Sequence, residues 1–89
     1  MSFDFVQFEG FKNLLNSQHA WPTEYTFKFI IKQTELEQFS SLFDGDGFLV
    51  KESGSGKYLS LTLVKVMTSG DEVLSVYKKA SVIPGLIAL

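Results

Sequence analysis

The chain has no cysteine and no arginine, and its one histidine is His19. Without cysteine there is no disulfide framework, no thiolate zinc or iron–sulfur site and no thiol nucleophile. Without arginine the planar fork that grips phosphate or carboxylate at two points is missing, and all eight basic residues are lysines. Proline occurs only at Pro22 and Pro84. No apolar run approaches the roughly 20 residues that a membrane-spanning helix needs, and Met1-Ser2-Phe3-Asp4 lacks the basic start of a secretion signal. Ten acids against eight bases leave a formal charge of −2, the wrong sign for holding phosphate backbones. Together these absences predict a cytoplasmic domain with no cofactor, no metal and no membrane partner, and weigh against a nucleic acid as partner.

What the chain does have is apolar side chain. Hydrophobic residues make up 45% of its 89 positions, enough for one small core and no more. Phe5, Phe8, Phe11, Leu14 and Leu15 recur near helical spacing, which predicts a helix over residues 3–18. Gly10 weakens that helix and Trp21-Pro22 ends it. From Glu24 to Lys32 the pattern alternates, with Tyr25, Phe27, Phe29 and Ile31 on one face, as in a half-buried strand. Thr34 with Glu37 has the spacing of a capping box, opening a helix striped by Leu36, Phe39, Leu42 and Phe43.

Asp44-Gly45-Asp46-Gly47 stops that helix with a turn. Phe48–Ser53 reads as a short strand, Ser53-Gly54-Ser55-Gly56 as a hairpin connection, and Lys57–Met67 as the longest strand. In that strand Leu59, Leu61 and Leu63 share one face. The alternation blurs at Val64-Lys65-Val66, which predicts either a bulge or an apolar patch on the outer face. Ser69 with Glu72 is a second capping box, opening a helix that turns Val73, Val76, Tyr77 and Ala80 inward. Ile83–Leu89 is the expected closing strand, with Pro84 at its start or on an edge.

The order is a leading helix followed by strand, helix, strand, strand, helix, strand. It predicts an α+β fold: a ferredoxin-like βαββαβ antiparallel sheet with both helices on one face, plus the N-terminal helix. The division expected is an N-terminal helical extension over residues 1–20 and the ferredoxin-like domain over 21–89.

Candidate chemistry is sparse. His19 lies in an expected loop with no second ligand at metal spacing, and reads as a solvated or capping residue. Asp44-Gly45-Asp46-Gly47 faintly resembles a calcium loop, but Leu49 falls where glycine is needed and Ser55 where a bidentate glutamate is needed. Gly54-Ser55-Gly56-Lys57 resembles the end of a phosphate loop, yet Lys51 occupies the first glycine position and a strand follows instead of a helix. No serine has a histidine base nearby, so no catalytic residue is assigned and the chain is expected not to be an enzyme. Gly56-Lys57-Tyr58-Leu59 loosely resembles the third-strand motif of RNA recognition domains. Only Tyr58 points outward there, too little for a base-stacking platform.

Trp21-Pro22-Thr23 leading into Tyr25-Thr26-Phe27-Lys28 is similar to the opening of the small, YbeD-like bacterial proteins. So are Lys51-Glu52-Ser53-Gly54-Ser55-Gly56-Lys57-Tyr58-Leu59-Ser60-Leu61-Thr62, the Ser69 helix start with Glu72 and Tyr77, and the apolar end through Leu89. The resemblance covers residues 21–89. It implies a ferredoxin-like fold similar to ACT regulatory domains, which bind small metabolites and often pair through sheet edges or helices. Ile31 stands where relatives often have glycine, at the turn where ACT domains bring backbone close to a ligand. That moves the expectation from a small-ligand sensor towards a partner protein.

The expected ligand-binding or interaction residues are Lys28, Tyr58 and Ser60 on the outer sheet face, with Lys51 and Ser53 on the adjoining strand. Adjacent central strands are expected to bring the first three together. The function expected is a regulatory or protein-interaction module, with a small anion or amino acid sensor as the alternative and an RNA-binding sheet as a weaker one. Ile30, Val64 and Val66 on the open face also predict a homodimer.

Overall fold

The computed structural model describes residues 5–89, with side chains from residue 10 onward. Along the chain run α1 (Phe5–Gln18), β1 (Thr23–Lys32), a 3₁₀ turn (Gln33–Glu35), α2 (Leu36–Leu42), β2 (Leu49–Glu52), β3 (Tyr58–Met67), α3 (Gly70–Ala80) and β4 (Ile87–Ala88). The strands form one sheet in the order β2-β3-β1-β4, every neighbouring pair antiparallel. This is the ferredoxin-like arrangement expected from the sequence, with α1 added.

Alternation decides which side of the sheet is covered. Phe27, Phe29 and Ile31 of β1 and Leu59, Leu61 and Leu63 of β3 all point to the helices and are buried. Phe39 of α2, Phe43 just after it, and Val73, Val76, Tyr77 and Ala80 of α3 close over them, and Leu15 of α1 joins the same core. The aromatic packing is dense. Tyr77 meets Phe27 edge-on at 5.3 Å between ring centroids, and Phe39 stacks on Phe43 at 4.5 Å. Such pairs contribute about 0.5–1.5 kcal/mol beyond the area they bury.

The hairpin forms over the expected residues. Gly56 takes φ of 74°, in the left-handed region that glycine adopts without strain. α3 is capped as its sequence suggests: the Ser69 hydroxyl accepts the Glu72 N–H at 3.1 Å. The Glu72 carboxylate accepts a hydrogen bond from the Thr68 hydroxyl at 2.6 Å.

One carboxamide ties α1 to the start of α3, beside an ion pair from Lys12 to Asp71 at 3.4 Å. Asn16 Oδ1 accepts both the Trp21 indole N–H and the Gly70 backbone N–H, each at 3.0 Å. A side chain at Gly70 would not fit, because a Cβ there would lie 2.9 Å from Asn16 Oδ1 and 3.1 Å from the Lys12 carbonyl oxygen. Further along the helix, Phe11 packs on Tyr77 at 5.7 Å. Leu14, expected on the buried stripe, is half exposed. Residues 3 and 4 of the expected helix, and the side chains of Phe5 and Phe8, lie outside the described residues.

Two local expectations need correction, and two that left alternatives open are decided. The capping box of Thr34 and Glu37 does not form: Thr34 sits inside the 3₁₀ turn, and α2 starts at Leu36 without a side-chain cap. The ladder itself causes this, since the Gln33 N–H bonds the Lys57 carbonyl and the chain turns straight out of β1. The closing strand is only Ile87–Ala88, because residues 81–85 coil into successive turns with Pro84 inside them. No bulge occurs at residues 64–66: the β1–β3 register runs unbroken from Thr23↔Met67 to Lys32↔Tyr58. Val64 and Val66 therefore form an outer apolar patch, while Lys65 turns inward and pairs with Asp46 at 3.0 Å. His19 is also not a solvated side chain. It is half-buried against Trp21 and Tyr25, with ring centroids 5.3 and 5.9 Å away.

Candidate interaction surface

The helices leave the other face of the sheet uncovered, and register lays out its side chains in rows. Glu24 lies beside Val66, and Thr26 beside Val64. The next row is Leu49, Thr62 and Lys28. Then come Lys51, Ser60, Ile30 and Ile87. Tyr58 and Lys32 end the face. Six large apolar side chains here are well exposed: Leu49, Val64, Val66, Ile87 and Leu89, with Tyr58 at the end.

The sequence-predicted residues fall into two groups. Lys51 is directly opposite Ser60. Lys28 is opposite Thr62 and so diagonal to Ser60, a separation of about 7–8 Å between Cα atoms. Those three cluster around the middle of the face. Tyr58 neighbours Ser60, two residues along β3 on the same face, but lies farther from Lys28. It sits opposite Lys32, four residues along β3 from Thr62, and at about 3.3 Å per residue that places it roughly 13 Å from the Lys28 row. Ser53 lies beside Tyr58, and its hydroxyl donates to the Tyr58 carbonyl at 2.8 Å, which ties it into the hairpin.

Two shallow clefts open here. One of about 400 Å³ is lined by Gly47, Phe48, Leu49, Thr62 and Val64, and is mostly apolar. The other, about 330 Å³, is lined by Lys32, Gln33, Thr34, Lys57 and Tyr58 at the end of the sheet. Lys32, Lys57 and Leu49 were not among the residues singled out from the sequence. Alternation in β1 sets Lys32 on the face opposite Phe27, Phe29 and Ile31, but only the β1–β3 register joins Lys32 to Tyr58.

On the helix side a third hollow of about 220 Å³ includes Asp46, Lys65, Glu72 and Lys79. Its charges engage their neighbours. Asp46 pairs with Lys65, and Lys79 Nζ stands 4.8 Å from the centroid of the Phe43 ring. Outside the lining of that hollow, Tyr77 and Tyr25 share a part-buried hydrogen bond at 3.4 Å between hydroxyl oxygens. Burial first, and then that bond, push the Tyr77 phenol well above its ordinary value.

Among the described residues, no helix is long and apolar enough to cross a membrane. Tyr58 is the one aromatic residue on the outer face of the described strands, so no row of rings is present for stacking bases. Compared with known proteins, the chain matches no family model, no curated protein and no solved structure.

Proposed function

We propose that the chain is a non-enzymatic, cytoplasmic regulatory or interaction module, similar to ACT domains and to the YbeD-like proteins its sequence resembles. It acts by docking a partner protein on the open face of the sheet. One observation carries this reading: that face holds Leu49 at 75% and Val66 at 62% exposure beside Val64 and Ile87, with no described element over them. Monomeric proteins rarely expose large contiguous apolar patches, and the largest such patch on a protein is often its interaction surface. The test compares affinity capture by the full chain with capture by a Leu49→Asp, Val66→Asp variant. A protein retained by the first and lost by the second supports the reading, and equal retention by both ends it.

The 330 Å³ cleft favours a second reading, a sensor for a small anion or amino acid, with Lys32 and Lys57 beside Tyr58. A metabolite at a hundredfold excess over its dissociation constant would stabilise the fold by about 2.7 kcal/mol. A thermal-shift screen, repeated on Lys57→Ala, separates the two readings.

A further inference from the structure

We propose that the occupant of the open face is an acidic amphipathic helix of another protein, an inference that rests on the docking module just described. Charge separates this face from the rest of the chain. Its exposed ionisable side chains are Lys28, Lys32 and Lys51 against Glu24 alone, whereas the whole chain carries −2. None of the three lysines makes an ion pair among the described residues. A second copy laid face to face would set like charge on like charge, which argues against the homodimer expected from the sequence. A partner with carboxylates beside its apolar row complements the face.

Spacing favours a helix. From the register, strand rise and strand separation, the three lysines form a triangle with sides of roughly 12–13 Å, framing Ser60 and Ile30. Carboxylates eight residues apart on a helix are about 12 Å apart along its axis. A strand partner would need a free sheet edge, and both edges are poor. β2 has four residues with Glu52 on its helix-facing side, and β4 has two. An anionic membrane is a weaker match, because electrostatic anchoring takes clusters of about 4–8 basic residues.

The test is selection of a random 18-residue peptide display library on the immobilised full chain. The proposal expects enriched peptides with apolar residues at helical spacing and an excess of Asp and Glu. Leu49→Asp, at a site exposed enough to leave folding intact, should abolish their binding. A Lys28→Glu, Lys32→Glu, Lys51→Glu variant should weaken it about tenfold or more, as three charge contacts would. Peptides that need Leu49 but carry no acidic excess overturn the proposal and leave the docking module standing. Peptides indifferent to Leu49→Asp, or none at all, overturn both. A dimer broken by Leu49→Asp in sedimentation, or co-sedimentation with vesicles of one-fifth phosphatidylserine, gives the face to another occupant and also overturns the proposal.

Discussion

Replacing Gly70 with alanine tests the seat of α1 on α3. The added methyl would lie 2.9 Å from Asn16 Oδ1 and 3.1 Å from the Lys12 carbonyl. The first is the shared acceptor for Trp21 and Gly70, and the second is helix backbone, so relief requires α1 to shift. Crowding of this kind costs about 1–3 kcal/mol, and losing the two hydrogen bonds adds about 1 kcal/mol each. Alanine returns about 0.5–1 kcal/mol through its better helix propensity at a position of ordinary φ. A net loss of about 2–4.5 kcal/mol follows, which lowers the melting temperature of a domain this size by roughly 10–30 °C. Circular dichroism on heating measures it. Trp21 is the only tryptophan, so its single indole N–H resonance reports the Asn16 bond directly. In an Asn16→Ala background, where the nearer clash is gone, the same substitution should cost less. If Gly70→Ala melts at or above the wild-type temperature with an unmoved indole resonance, the close approach of α1 and α3 is not as described.

Gly10 is exposed in the middle of α1, and no atom of the described residues would lie within 4 Å of an added Cβ, so Gly10→Ala should stabilise by about 0.5–1 kcal/mol. A thermal melt reads this as a rise of a few degrees. Phe39 is fully buried among Phe29, Phe43 and Phe48, so Phe39→Ala should cost about 3–5 kcal/mol in urea unfolding. Much of what holds the uncapped α2 goes with that ring. Tyr77 has its phenol raised above the ordinary 10.0. Its contribution is therefore fully present below pH 10 and is lost above it, as the unfolded chain ionises first. Unfolding midpoints should fall on raising the pH beyond 10, and fall less steeply in Tyr77→Phe.

Legibility in the sequence followed the distance over which each feature is decided. β1 and β3 were readable because alternation is local and both strands have one apolar face. α3 was readable because its cap lies within its own first turn. The Thr34–Glu37 box had the right letters, but a ladder bond from Gln33 to Lys57 put Thr34 in a helical turn, and no local pattern contains that bond. Lys65 blurred its strand because its partner Asp46 comes from a different turn. The outer face was legible as a set of residues but not as a pattern. Which lysine stands beside Tyr58 depends on the register between strands 26 residues apart, and that pairing selects Lys32 over Lys28.

The two-residue β4 bears on how the protein fails. Strand β1 holds Phe27-Lys28-Phe29-Ile30-Ile31, a composition suited to cross-β stacking with one charge to interrupt it. On one side it is sealed along its whole length by β3. On the other, hydrogen bonds come only near Lys28, Phe29 and Ile30, from the last three residues of the chain. Fraying of so short a strand costs little, and it uncovers the segment best able to template fibrils. Substitutions that loosen Ile87 or Ala88 should therefore show first as faster aggregation on prolonged incubation, before any change in melting temperature, and Lys28 is the gatekeeper whose loss would compound the effect.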